Sequence, residues 1–225
     1  LNFFKEDGHM RSHIVLYFGK PGAGKGTRTQ KLKERTFLLD DFMILSTGHM
    51  LRQAVADGTH LGQEAKAYMD KGELVPDHLI VSVVLDAIEK AAENQKSIIL
   101  DGFPRNLPQA KALTDALNGK KIYVVDFPIA DEIVIERTIH RRICPKCGNV
   151  SDDTHKTCNQ CGTTLIQRSD DTEEVVKRRL DSYREDTEPV LDYLVKCPNV
   201  RLTRLYPTIS LEEDPGMETF FRSLH

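Results

Sequence analysis

No run of apolar residues in this sequence approaches the ~20 that a membrane-spanning helix requires. Neither sign of charge dominates. The formal net charge is −3, so no overall basic field draws the chain to nucleic acid or to an acidic membrane. Internal repeats and low-complexity linkers are missing as well. Leu1 to Met10 holds no contiguous apolar core, so no secretory signal is expected there. Gly8-His9-Met10 reads as a cloning junction, which makes residues 1–10 a remnant and Met10 the natural start. Without a secretion signal, the five cysteines point to bound metal or reduced thiols rather than to a disulfide framework.

What is present is ordinary for a folded chain. Of 225 residues, 40% are hydrophobic and 29% charged, which suits one α/β domain with insertions and a sizeable core. An apolar run, Ile14 to Phe18, is followed by a helical segment from Arg28 to Arg35 and a short strand from Met43 to Leu45. Ser46 or Thr47 can cap a helix running to about Asp57; Gly58 breaks it, and a second helix reads from Leu61 to Lys71. Pro76 and Asp77 open a third, in which Ile80, Val83, Val84, Ala87, Ile88 and Ala91 form one stripe. Ser97 to Leu100 reads as a buried strand ending at Asp101. Helix follows from about Pro108 to Leu117, strand from Lys121 to Val125, and helix from Ala130 to Arg142. Ile143 to Ser169 shows neither helical nor strand period. Asp171 and Glu174 have the spacing of a capping box for the next helix. Its stripe is Val176, Leu180, Tyr183, Thr187, Val190 and Leu194, and Pro189 should kink or divide it. A strand from Val200 to Leu205 and a last helix close the chain. Repeated strand–helix order predicts a parallel sheet with helices on both faces.

The chain is organised around Gly19-Lys20-Pro21-Gly22-Ala23-Gly24-Lys25-Gly26-Thr27, placed between the first strand and the first helix. That is the context a phosphate-binding loop requires. Glycines let consecutive backbone N–H groups point into one concavity, and the helix adds the positive end of its dipole. Lys25 supplies a mobile charge for terminal phosphates, and Thr27 a hydroxyl for the phosphate or magnesium shell. The common loop pattern has Ser or Thr directly after the Lys; here Gly26 intervenes. This Gly-Lys-Gly-Thr variant resembles the nucleoside monophosphate kinases.

Further segments narrow the resemblance. Leu45-Ser46-Thr47-Gly48 with Leu51-Arg52, then Gly72-Glu73-Leu74-Val75-Pro76-Asp77, match the two ends of a monophosphate-binding excursion. Leu100-Asp101-Gly102-Phe103-Pro104-Arg105 with Gln109 matches the strand and loop that hold AMP. Arg141-Arg142 and Gln167-Arg168-Ser169-Asp170-Asp171 bracket a lid, and Arg179-Leu180 with Tyr183 matches the helix behind it. Together these resemble the adenylate kinase family over most of the chain.

The resemblance implies a P-loop NTPase-like fold with a core of residues 11–46, 76–142 and 170–225, a monophosphate-binding excursion 47–75 and a lid 143–169. It implies reversible transfer, ATP plus AMP to two ADP, with magnesium. Lys25, Arg105, Arg141, Arg168, Arg179 and Asp101 would be catalytic. ATP would contact Gly22, Ala23, Gly24, Lys25, Gly26, Thr27, Arg137, Arg141, Val150, Ser151 and Tyr206. AMP would contact Thr47, Arg52, Glu73, Leu74, Val75, Gly102, Arg105, Gln109, Arg168 and Arg179. Arg137 would lie one helical turn before Arg141 on the same face. Arginine's planar fork suits such bidentate contacts with phosphate. Thr47 favours adenine, since the related uridylate–cytidylate kinases tend to have a smaller residue there. Three positions depart from the family: His49 stands where Asp is usual, Asn106 where Thr is usual, and Leu205-Tyr206-Pro207 replaces a glycine-containing turn near adenine.

Cys144-Pro145-Lys146-Cys147-Gly148 and Cys158-Asn159-Gln160-Cys161-Gly162 form two C-x-x-C knuckles, ten residues apart. The pattern predicts a structural zinc with four sulfur ligands, Cys144, Cys147, Cys158 and Cys161. Two disulfides or a redox dithiol are the competing readings. His155 is expected to face solvent, and Cys197 to be a buried or idle thiol. The overall expectation is a cytoplasmic monomer acting on ATP, AMP and ADP, without nucleic-acid or membrane partners. The alternatives are a kinase of another base preference, a catalytically weak nucleotide-binding regulator and, with least support, a zinc-ribbon nucleic-acid binder.

Overall fold

The computed structural model describes residues 12–117, 119–206 and 215–225. The expected remnant at residues 1–10 lies outside them, as does Pro207. The strands are β1 (Ile14–Phe18), β2 (Phe42–Ser46), β3 (Ser97–Asp101), β4 (Ile122–Asp126), β5 (Arg141–Ile143), β6 (Val150–Asp152) and β7 (Val200–Arg204). The helices are α1 (Lys25–Arg35), α2 (Thr47–Ala56), α3 (His60–Lys71), α4 (Asp77–Glu93), α5 (Leu107–Leu117), α6 (Asp131–Ile139), α7 (Glu173–Ser182), α8 (Glu188–Leu194) and α9 (Pro215–Arg222).

Five strands form one parallel sheet in the order β2-β3-β1-β4-β7. Every residue of β1 is buried. Its alternate side chains enter different cores. Ile14, Leu16 and Phe18 join Ile98, Leu100, Ile122 and Val124 under α4, α5 and α8, whereas Val15 and Tyr17 join Ile99 and Val125 under α1 and α9. Two buried faces explain why the strands read as continuous apolar runs. With β1 central, connections leave its two sides in opposite directions, and a crevice opens at the carboxyl ends of β1 and β3.

The last long helix divides where Pro189 predicted. A π turn, Tyr183–Thr187, separates α7 from α8, and Pro189 sits in the first turn of α8, where its missing N–H costs nothing. Three local expectations need correction. Helix α6 ends at Ile139, so Arg141 lies on β5 and does not share a helical face with Arg137. Residues 143–169 do carry regular structure: β5 pairs antiparallel with β6, and Ile143 bridges Ile166. Three-residue strands are too short for periodicity to register. Finally, α7 is capped by Thr172, whose side chain accepts the Val175 N–H, because Asp171 is drawn into an ion pair described below.

Candidate active site

The turn after β1 has left-handed glycines at Gly22 and Gly24. At Gly22 a Cβ would also lie 2.5 Å from Thr138 Oγ1, so backbone conformation and space both require glycine. The loop delivers Lys25 to the first turn of α1. Its Nζ donates to the Gly19 and Lys20 carbonyls at 2.7 and 3.1 Å and stands 4.0 Å from Asp101 Oδ1. Burial pushes its pKa below the ordinary lysine value. Tyr183, on the π turn, borders the same region.

Beside this loop lies a cavity of about 660 Å³. Of the residues the sequence singled out, the phosphate-loop set Gly22 to Thr27 lines it, with Thr47, Arg52, Glu73, Leu74, Val75, Asp101, Gly102, Arg105, Gln109, Arg141, Val150, Ser151, Arg168 and Arg179. Two are not brought to the wall. Arg137 stays on α6 with a buried Nη1 that has no hydrogen-bond partner, and Tyr206 is 72% exposed. His49 does line the cavity, in the first turn of α2.

Each arginine is held differently. Arg141 makes a two-pronged contact with Asp171, its Nε 2.8 Å from Oδ2. Arg179 pairs with Asp170, and Arg52 Nη1 stands 3.7 Å from the same Oδ2. Asp170 and Asp171 are 4% and 0% exposed, so these ion pairs are desolvated and fix the guanidinium groups in place. Burial alone would raise the Asp170 pKa, but the Arg179 and Arg52 charges overturn it and leave it low. Arg105 Nε donates to the Gly102 carbonyl at 2.8 Å, and Thr187 Oγ1 donates to the Arg105 carbonyl at 2.8 Å. Arg168 has the least support, its buried Nε having no hydrogen-bond partner. Burial, with Arg141 and Arg52 nearby, pushes Arg168 down to about 9; burial and Arg179 push Arg105 to about 10. Desolvated, crowded cations of this kind gain most from an anion of high charge.

At the far end, Thr47 is buried and its hydroxyl donates to the Gly102 carbonyl at 2.8 Å. Gln109 is likewise engaged, with Arg105 and Asp77. Sequence reasoning gave Asp170, Tyr183 and Thr187 no role at the site and read Asp171 as a cap. Only the adjacency of Asp170 and Asp171 to Arg168 hinted at their pairing with arginines.

The four knuckle sulfurs lie within 4.8 Å of one another. Individual Sγ–Sγ separations of 3.4, 3.5 and 3.6 Å are far beyond a disulfide bond. They approach the edge of roughly 3.8 Å that four Zn–S bonds of about 2.3 Å imply. The donor set therefore fits a tetrahedral zinc, and the disulfide reading fails. His155 is exposed and bonded to Asp152. From the second knuckle, Gln160 Nε2 reaches Glu34 Oε1 on α1 at 2.7 Å, joining the cysteine-rich segment to α1.

A sequence model of the family described as adenylate kinase matches residues 17–198. The chain belongs to the adenylate kinase family. An adenylate kinase of Archaeoglobus fulgidus is 42% identical over 191 residues, 81% of this chain and 86% of the relative. That of Petrotoga mobilis is also 42% identical over 191 residues, 81% and 85% of the two chains. That of Methanosarcina barkeri is 41% identical over 196 residues, 81% and 86%. The adenylate kinase family consists of phosphotransferases, and the parallel sheet with its phosphate loop is of that kind. Among the described residues, no helix is long and apolar enough to cross a membrane.

Proposed function

We propose that this chain transfers the terminal phosphoryl group of ATP to AMP, reversibly, giving two ADP. The observation that carries this reading is the convergence of Lys25, Arg52, Arg105, Arg141, Arg168 and Arg179 on one cavity beside a phosphate loop. In such a transfer the protein positions reactants and stabilises dispersed negative charge, with little covalent work of its own. A phosphate oxygen of AMP bonds to the γ-phosphorus while the bond to the β–γ bridging oxygen breaks, and ADP leaves.

Roles follow from placement. Backbone N–H groups of Gly22 to Thr27 and the Lys25 ammonium would cradle the donor phosphates. Arg141, Arg168 and Arg179 would neutralise charge between the nucleotides, with Arg141 and Arg179 already oriented by Asp171 and Asp170. Arg52 and Arg105 would hold the acceptor phosphate. A Cβ at Gly26 would meet no protein atom within 4 Å, and the residue has ordinary backbone angles. The protein alone does not require glycine there; close approach of a phosphate chain would.

Magnesium arriving with ATP would add charge neutralisation, with Asp101 and Thr27 the oxygen groups beside the loop suited to its water shell. Zinc on Cys144, Cys147, Cys158 and Cys161 would cross-link the lid and take no part in the transfer. We assign residues 47–75 and 143–169 as the mobile excursions that exclude water, on a core of 11–46, 76–142 and 170–225. The working form is taken to be a cytoplasmic monomer.

The test is a coupled assay offering ATP with AMP, UMP, CMP or GMP separately. AMP should give the highest kcat/KM. Equal or better use of another monophosphate would favour a kinase of different base preference, and no transfer with intact nucleotide binding would favour a regulator.

A further inference from the structure

Gln109 borders the acceptor end of the cavity while only 3% exposed, and its amide is not free to face either way. Its Oε1 accepts the Arg105 backbone N–H at 2.7 Å, and its Nε2 donates to Asp77 Oδ1 at 2.7 Å. Asn106 holds the same carboxylate oxygen through Nδ2 at 2.9 Å, and its own Oδ1 accepts the Gln109 N–H at 2.9 Å. A backbone N–H can only donate and a carboxylate can only accept. Turning the Gln109 amide over would set its oxygen against the Asp77 carboxylate and its NH₂ against the Arg105 N–H. The orientation is therefore dictated by the partners' chemistry, and burial makes the wrong one costly.

A glutamine amide has two N–H donors and two acceptor lone pairs. The protein uses one of each, which leaves one donor and one acceptor in a fixed order. Adenine matches such an order, because its 6-amino group donates while an adjacent ring nitrogen accepts. A 6-oxopurine reverses both: its O6 accepts and its N1–H donates. We propose that Asp77 is a positioning residue for base choice, acting with the Arg105 N–H to lock Gln109 in the orientation that reads a 6-aminopurine monophosphate and rejects its 6-oxo counterpart. The inference rests on the proposed AMP site. It also gives a role to Asn106, a departure from the family's usual threonine, whose side-chain amide ties Asp77 to the turn before α5.

The experiment measures kcat/KM with ATP as donor and AMP or inosine monophosphate as acceptor, since the two differ only at the 6-position edge. In Asp77→Asn the new amide can donate as well as accept, so one of the two groups that fix Gln109 no longer opposes the turned-over amide, while the Arg105 N–H still does. The ratio of AMP to inosine monophosphate use should fall several-fold, by up to about tenfold, with KM for ATP unchanged. Asp77→Ser, whose hydroxyl also donates or accepts at a helix N-terminus, should shift the ratio the same way if Asp77→Asn does not fold. Asn106→Thr should shift it less, because the carboxylate remains. An unchanged ratio in a folded Asp77 variant, including equal losses on both acceptors, overturns the proposal. Failure of the wild-type protein to use AMP at all overturns the proposed reaction instead, and is read before any variant is made.

Discussion

Beneath the phosphate loop, Val15, Leu16, Ile99, Leu100, Ile122 and Val124 are completely buried, and helices cover both faces of the sheet. Across the cavity, residues 143–169 bury only Cys144, Cys158 and Leu165. The sheet is held by apolar area; residues 143–169 bury too little for that, and the proposed zinc on their four clustered sulfurs would supply the cross-link. The two regions divide the labour. On the division proposed above, groups that must be rigid for chemistry would rise from the sheet edge, while the part assigned to open and close meets α1 through an exposed hydrogen bond, Gln160 to Glu34. Units with little buried area open locally at low cost.

Four substitutions probe this contrast. The largest effect is expected at the sheet edge: Lys25→Ala should lower kcat on the order of 10³-fold and leave Tm nearly unchanged. Near-normal kcat, measured at saturating ATP and AMP, would remove the phosphate loop from the mechanism. Arg105→Ala should mainly raise KM for AMP, by about 10- to 100-fold for a lost charged hydrogen bond, with KM for ATP little altered. Equal damage to both KM values would mean that Arg105 serves the whole cavity.

Cys147→Ser addresses the lid. It should abolish stoichiometric zinc in metal analysis and lower Tm, each kcal/mol lost costing roughly 2–4 °C in a chain of this size. AMP affinity should persist, because the acceptor pocket stands on α2, α4 and α5. Protein purified without chelator and found free of transition metal would contradict the zinc assignment itself. The smallest effect is expected at His49. Aspartate suits a helix N-terminus and magnesium's water shell, so His49→Asp should lower the magnesium concentration for half-maximal rate a few-fold. Superimposable magnesium titrations would show the position to be neutral.

Most of the sheet and the phosphate loop was legible because each rests on a pattern complete within a few residues: the apolar run of β1, then the glycines, then Lys25. What escaped was non-local. Ala130 to Arg142 reads as one helix, yet Arg141 is taken into β5 by pairing with β6, whose pattern spans only Val150–Asp152. Asp171 has capping-box spacing, but Arg141, thirty residues earlier, claims its carboxylate, and neighbouring Thr172 caps instead. Gln109 could be suspected of reading a base from its motif. Its lock could not, because Asp77 lies 32 residues earlier on another helix.

The sheet edge and the lid are proposed together to confine one phosphoryl transfer between two nucleotides and to keep water out. A single mixture of ATP, AMP, magnesium and enzyme, followed by phosphorus NMR, decides the matter. Two ADP should appear for each ATP and AMP consumed, with no inorganic phosphate, and no ATP should be lost when AMP is omitted. Phosphate release that matches ATP loss, with AMP unchanged, would contradict this picture.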